Sequence, residues 1–387
     1  MNQQSNYTGN SLTMQKQNLS ISTMPEPWQE HVDGNTLLSE IVTVIERFIV
    51  CSKETLIAAA LWVIVTWFVD DVQVAPIALI TAPDKQCGKT QLLTIMAKLS
   101  REPLPISNAT VAAIFRMIEK YAPTIFIDEA DSFLNDNEEL RGVLNSGHTR
   151  DAAFTLRCVN DSHEPKPFST WSFKAVCGIG KPAPTIVDRS IILSMRRKTQ
   201  QEKVERLRHV LRKEPTLFSD LVSKLARFVE DHHEAMREAE PELPEELSDR
   251  AQDNWEPLLM IADMAGGDWP KLAREAAVKI SKADDGSDST DSKLLADIRE
   301  VLRTKHKGDT ISLKELRKYL CEDDEMAWST YDRGYSITTR FLAKKLGEYG
   351  VKTKQHRSFN GKGYEIGQFT EVFERYLPFE PPENSET

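Results

Sequence analysis

Apolar residues recur along this chain with more than one period, and the changes of period mark out its parts. Leu38, Ile41, Val44, Ile45 and Phe48 fall at helical intervals within Leu37–Val50 and predict an amphipathic helix. Leu56–Val69 is apolar almost throughout, and its fourteen residues are short for a membrane span of about 20. It predicts a helix buried on all sides. From Ile77 the apolar runs shorten to strand length: Ile77–Ile80, Leu104–Ile106, Thr124–Ile127, Phe173–Gly180 and Ile191–Met195. Helical patterns at Gln91–Leu99, Val111–Tyr121 and Glu138–Asn145 alternate with them. That alternation predicts an α/β core with a largely parallel sheet over 74–198. A helical segment over 35–73 precedes it, and a hairpin, Ala153–Val159 with Lys166–Thr170, interrupts it.

Residues 199–280 read as a helical lid, charge-patterned over Gln201–Arg212 and Phe218–Ala239 and broken at Glu240–Glu246. A further helix runs from Arg250 through Trp255 to Met264. Ser281–Thr290 is acidic and poor in large apolar groups, so a linker is expected over 281–291. A smaller domain, 292–378, follows. Leu294–Leu302 predicts one helix, Ser312 and Glu315 form a capping box opening a second to Leu320, and Thr338 caps a third through Leu346. Two strands, Val351–Arg357 and Gly363–Ile366, flank Asn360-Gly361, a strong hairpin turn. Three helices and a hairpin in that order predict a winged helix. Polar residues 1–34 predict a disordered or extended arm, and 379–387 an acidic tail.

Charge changes this picture locally. The 387-residue chain carries a net charge of −10, so it is not built to coat nucleic acid. From Arg340 to Lys362, however, seven basic residues (Arg340, Lys344, Lys345, Lys352, Lys354, Arg357, Lys362) stand against one acid, Glu348. That excess falls on the third helix and the hairpin, where a DNA-tracking surface is expected. The alternative for such a domain is protein contact. Five scattered cysteines without a C-x-x-C pair predict a reducing, cytoplasmic setting and neither a disulfide framework nor zinc. The polar start, Met1-Asn2-Gln3, predicts no secretory leader.

The candidate chemistry lies between the first strand and the helix after it, at Pro83-Asp84-Lys85-Gln86-Cys87-Gly88-Lys89-Thr90. Strand, loop, Gly-Lys-Thr and helix form the context of a phosphate-binding P-loop. Loop N–H groups from Asp84 to Gln91 would face phosphate oxygens at a helix N-terminus, Lys89 would reach the β/γ-phosphates of ATP, and Thr90 would hold Mg²⁺. Pro83 stands where the consensus has its first glycine, so the loop entrance departs from the usual form. Thirty-nine residues beyond Lys89, Asp128 and Glu129 end the apolar run Thr124–Ile127. Asp128 is expected to complete the Mg²⁺ site and Glu129 to activate water, with the nucleotide lodged where the ends of two neighbouring strands meet. Glycines and Lys181 follow the Phe173 strand in place of a polar sensor. Arg189 is a candidate finger reaching a neighbouring subunit, or else a local partner of Asp188. Arg250 is a candidate to reach back to the nucleotide.

Leu247-Ser248-Asp249-Arg250-Ala251, Asn254-Trp255-Glu256-Pro257, Ala265-Gly266-Gly267-Asp268-Trp269-Pro270, Asp188-Arg189-Ser190 and Lys362-Gly363-Tyr364 together carry a resemblance. Over roughly residues 40–378 the chain resembles a family of uncharacterised bacterial, phage and plasmid P-loop proteins, known only as a domain of unknown function and often found beside primase-helicase modules. The resemblance implies a ring-forming ATPase of the AAA+/superfamily 3 helicase type serving a mobile element. A homo-oligomer, a hexamer among the ring sizes, and a primase or other replication partner follow from it. The expected function is an Mg²⁺-dependent motor on DNA. The alternatives are an ATP-switched DNA-binding initiator or regulator, and a defence or packaging ATPase that grips a protein.

Overall fold

The computed structural model describes residues 24–82, 85–106, 109–129, 138–159, 164–178, 183–285, 290–323, 326–331, 334–356 and 359–377. The chain divides into two units, Met1–Asp284 and Asp285–Thr387.

The first unit opens with α1 (Gly34–Glu46), capped by Asp33, whose Oδ2 accepts from the Thr36 amide at 2.9 Å. Of the predicted arm, residues 24–33 are tied down: Val32 is buried and the Trp28 amide donates to the Ser223 carbonyl. Next comes α2 (Lys53–Val65), with every residue from Thr55 to Val65 buried. A helix wrapped on all sides needs no polar face, and this is the stretch too short for a bilayer. Among the described residues no helix is long and apolar enough to cross a membrane. Two tryptophan N–H groups of this core find carbonyls: Trp62 donates to Pro76 at 2.8 Å and Trp67 to Leu99 at 2.9 Å.

Five strands then form one parallel sheet. They are β1 (Ile77–Thr81), β2 (Pro103–Ile106), β3 (Thr124–Ile127), a strand at Lys174–Cys177 and a strand at Ser190–Ser194. Between them lie α3 (Lys89–Leu99), α4 (Val111–Tyr121) and α5 (Glu138–Ser146), then a separate hairpin of β4 (Phe154–Val159) and β5 (Glu164–Ser169). Lys174–Cys177 is β6, Pro184–Val187 is α6 and Ser190–Ser194 is β7. The order across the sheet is β2-β3-β6-β1-β7. β1 and β3 are therefore not neighbours, contrary to the sequence expectation, because β6 pairs with both.

Alternate residues of β1 feed two cores, Ala78 and Ile80 with α2 and α3, Ile77 and Leu79 with α4 and α5. Both faces of the strand are covered, and for that reason its sequence is a continuous apolar run. After the sheet come α7 (Leu207–Lys213), α8 (Leu217–Glu238), α9 (Asp249–Ala265) and α10 (Trp269–Asp285). The helix expected over Gln201–Arg212 is shorter, since Glu202 and Glu205 are drawn into contacts outside it, with the Thr199 amide and with Arg47 at 2.7 Å. α10 runs on into the expected linker.

The second unit comprises α11 (Thr290–Thr304), β8 (Thr310–Ser312), α12 (Leu313–Glu322), α13 (Thr339–Glu348), β9 (Lys354–His356), β10 (Gly361–Glu365) and α14 (Gly367–Tyr376). Its strands form an antiparallel sheet in the order β8-β10-β9. Ser312 and Thr338 cap α12 and α13 as their sequence positions predict, accepting from the Glu315 and Phe341 amides at 3.1 Å. Leu316, Leu320, Trp328, Leu342, Leu346 and Tyr364 are among the residues filling its own core.

Candidate functional site

The C-terminal end of the parallel sheet opens into a cleft of about 690 Å³. Its walls are Lys85 to Gln91 from the loop and helix after β1, Asp128 and Glu129 after β3, and Cys177 and Gly178 at the end of β6. The two sequence motifs thus share one cavity although their strands are not adjacent. β6 ends in a cysteine and a glycine, and these small residues line the cleft between the motifs.

Gly88 sits at the N-cap of α3 with φ 84°, a left-handed conformation that costs glycine little. Lys89 begins the helix and is buried, while Thr90 beside it is exposed to the cleft. Two non-glycine residues here also adopt positive φ, Gln86 at 63° and Glu129 at 53°. Such backbone costs of order 1–3 kcal/mol and concentrates at functional sites. At Glu129 the cost is partly offset, because its amide donates to Asp128 Oδ1 at 2.9 Å. Asp84, Pro83 and Lys181 lie outside the described residues.

One residue in contact with the loop escaped sequence reasoning. Arg197, just past β7, donates to the Lys85 carbonyl at 3.1 Å. Its sequence signal was the basic run Arg196-Arg197-Lys198. A second cavity of about 540 Å³ shares Gln86, Cys87, Gly88 and Gln91 with the first. Phe48, Ile49, Val50 and Leu207 give it apolar walls, and Arg196, Lys198, Arg206 and Arg208 add positive charge.

Arg189 and Arg250 do not line the cleft. Both flank the carboxylate of Asp188, at 3.8 and 3.5 Å, and Arg250 also lies 3.6 Å from Asp253. Arg250, the candidate to reach back to the nucleotide, thus lies between Asp188, on the turn before β7, and Asp253, in the first turns of α9. Beneath this group Asn254 is buried, with Nδ2 3.1 Å from the Asp188 carbonyl and Oδ1 2.7 Å from His148 Nε2. Burial, and then the cations Arg250, Arg189 and Lys174, push the His148 pKa down to about 4, opposed by the Asn254 bond.

In the second unit Arg340, Lys344, Lys352, Lys354 and Lys362 are exposed and Lys345 is half-buried. Lys354 is paired with Glu365 at 3.0 Å. Arg357 lies outside the described residues. Among the described residues no three His, Cys, Asp or Glu side chains gather as a metal centre.

Against known proteins, the family described as "Protein of unknown function (DUF3631)" matches residues 194–376. The "Uncharacterized 28.9 kDa protein in xis 5'region" of Saccharopolyspora erythraea is 36% identical over 199 residues, which is 50% of this chain and 72% of that protein. The family match is narrower than the 40–378 expected. It begins at the end of β7 and takes in Asp249-Arg250, Asn254-Trp255 and Lys362-Gly363-Tyr364, while the cleft residues 85–91 and 128–129 precede it.

Proposed function

We propose that this chain, which belongs to the DUF3631 family of proteins of unknown function, is an Mg²⁺-dependent ATP hydrolase that acts on DNA as an oligomer. One observation carries the proposal: Lys89 and Thr90 at a helix N-terminus share a cleft with Asp128 and Glu129. A volume of about 690 Å³ lies in the range of small-ligand sites, about 300–1,000 Å³. The turn from Lys85 to Gly88 followed by α3 supports the P-loop reading, in which helix N–H groups and partial positive charge would face anionic oxygens.

Lys89 binds the β/γ-phosphates, and its burial keeps the charge close to them. The hard oxygens of Thr90 and Asp128 fit Mg²⁺, which completes its shell with phosphate and water. When bound, the ion neutralises phosphate charge. Glu129 orients and deprotonates the attacking water. The cavity beyond Gly88, apolar at Phe48, Ile49 and Val50, takes the nucleoside.

Arg189 lies on the turn before β7 and away from its own cleft, which suits a finger offered to the cleft of a neighbouring subunit. The α11–β8–α12–α13–β9–β10 order of the second unit supports reading it as a winged helix whose exposed lysines and Arg340 track DNA phosphates. A motor serving replication of a mobile element is the function these features suit best. The deciding experiment measures ATP hydrolysis with and without single-stranded and duplex DNA, together with molecular mass in a non-hydrolysable ATP analogue. DNA-stimulated hydrolysis and assembly on nucleotide are expected. A chain that neither binds nor hydrolyses ATP removes the proposal.

A further inference from the structure

Arg189 can serve a neighbouring cleft only if the turn that carries it is held in one geometry. α6 is a single short turn, Pro184–Val187, and Arg189 follows it immediately. Within its own element Arg189 donates to the Thr185 carbonyl at 2.9 Å. The rest of the support comes from α9, more than sixty residues further along the chain. Arg250 and Asn254 are four residues apart, so they share a face of that helix. Arg250 meets the Asp188 side chain and Asn254 meets the Asp188 backbone.

The amide of Asn254 has a defined orientation. The Asp188 carbonyl can only accept, so Nδ2 faces it and Oδ1 faces His148. His148 Nε2 must then carry the proton, and Nδ1 accepts from the Thr149 hydroxyl at 3.1 Å. His148 follows Gly147, whose carbonyl accepts from Lys174 Nζ at 2.9 Å at the start of the central strand β6. A path of hydrogen bonds, joined by the covalent step from Gly147 to His148, thus runs from the sheet through His148 and Asn254 to the backbone beside Arg189. Buried polar groups are costly unless every member is satisfied, and a satisfied network admits one arrangement.

We infer that Asn254, oriented by His148, is a positioning residue that sets the Asp188–Arg189 turn for hydrolysis in the adjacent subunit. It touches no nucleotide and acts through Arg189. The inference rests on the role given to Arg189 above. A movement of α9 would carry the turn with it, so helix and finger act as one body.

The test compares kcat, KM and urea midpoint for Arg189→Ala, Asn254→Ala, His148→Leu, His148→Gln and the Arg189→Ala/Asn254→Ala double variant of the full chain. Asn254→Ala and His148→Leu should each lower kcat by roughly tenfold or more with KM unchanged. The double variant should lose little beyond Arg189→Ala, because the two residues act as a unit. His148→Gln, which keeps an N–H donor for Asn254, should retain kcat within about threefold. Folded Asn254→Ala or His148→Leu protein with undiminished kcat would overturn the inference, as would multiplying losses in the double variant. If Arg189→Ala itself leaves kcat intact, the fault lies in the assignment of Arg189.

Discussion

Lys174 Nζ and the Gly147 carbonyl oxygen are 2.9 Å apart in the interior of the first unit, and a side chain on residue 147 would run into that amine. Lys174 is wholly buried, and its ammonium also reaches the carbonyls of Thr170 and Ser172, at 3.3 and 2.7 Å. Three donors meet three acceptors, the condition for placing such a group inside a protein. A methyl on residue 147 would collide with the Thr170 carbonyl oxygen and with Nζ. Gly147→Ala should therefore destabilise the protein by about 1–3 kcal/mol. Because the tighter collision is with backbone, adding Lys174→Met should not rescue it. Urea unfolding of the single and double variants checks both outcomes.

Stability should fall with acid in a window set by His148. Its pKa is about 4 in the folded chain, against about 6.5 when unfolded. Between these values the unfolded state binds a proton that the folded state refuses, so stability decreases as pH drops from 6.5 to 4. Over the whole window the loss is about 3 kcal/mol. His148→Gln has no proton to gain, and its unfolding free energy should vary less across this range. Equal slopes for the two proteins would show that His148 is not the titrating group.

At the cleft, Lys89→Ala should abolish ATP hydrolysis by weakening binding, whereas Glu129→Gln should leave ATP bound and unhydrolysed. The losses in kcat should be roughly 10²–10⁴-fold, the usual worth of a general base. Glutamine keeps the shape of Glu129 and its left-handed backbone, and the Asp128 contact is made by the amide of residue 129, not by its side chain. Equilibrium ATP binding measured beside turnover separates the two effects. Hydrolysis indifferent to both substitutions would exclude this cleft as the site of turnover.

Much of this architecture was legible before any coordinates. Where a strand is covered on both faces, as Ile77–Thr81 is, its residues have no choice but to be apolar, and the run announces itself. Caps are equally local: Ser312 and Thr338 each mark a helix start by a single hydroxyl. Strand order is not local. Nothing in Lys174–Cys177 says that it inserts between β1, which leads to Lys89, and β3, which leads to Asp128. β8 has three residues and exists through pairing with Glu365, Tyr364 and Gly363, which lie over fifty residues away. α14 is a different kind of omission, since Phe369, Val372 and Phe373 have helical spacing and could have been read. The basic run around Arg197 was visible, but its contact with Lys85, like the His148–Asn254 pair, was beyond reach, because only the tertiary fold brings each to its partner.

Binding of DNA by the second unit should depend on Lys344, Lys352 and Lys362 more than on Lys354. The first three are exposed, on α13, just before β9 and on β10. Lys354 is already engaged by Glu365 at 3.0 Å, and a phosphate would have to compete with that carboxylate. Each lysine that meets a phosphate releases a counterion, contributing about 0.9 to the slope of log K against log salt on duplex DNA. Replacing Lys344, Lys352 and Lys362 together by alanine should weaken binding uniformly across sequences and reduce that slope by about 2–3. Lys354→Ala alone should change it by less than one contact's worth. Titration of a labelled duplex at several salt concentrations measures both quantities. Unaltered affinity and slope in the triple variant would turn this surface from DNA to a protein partner.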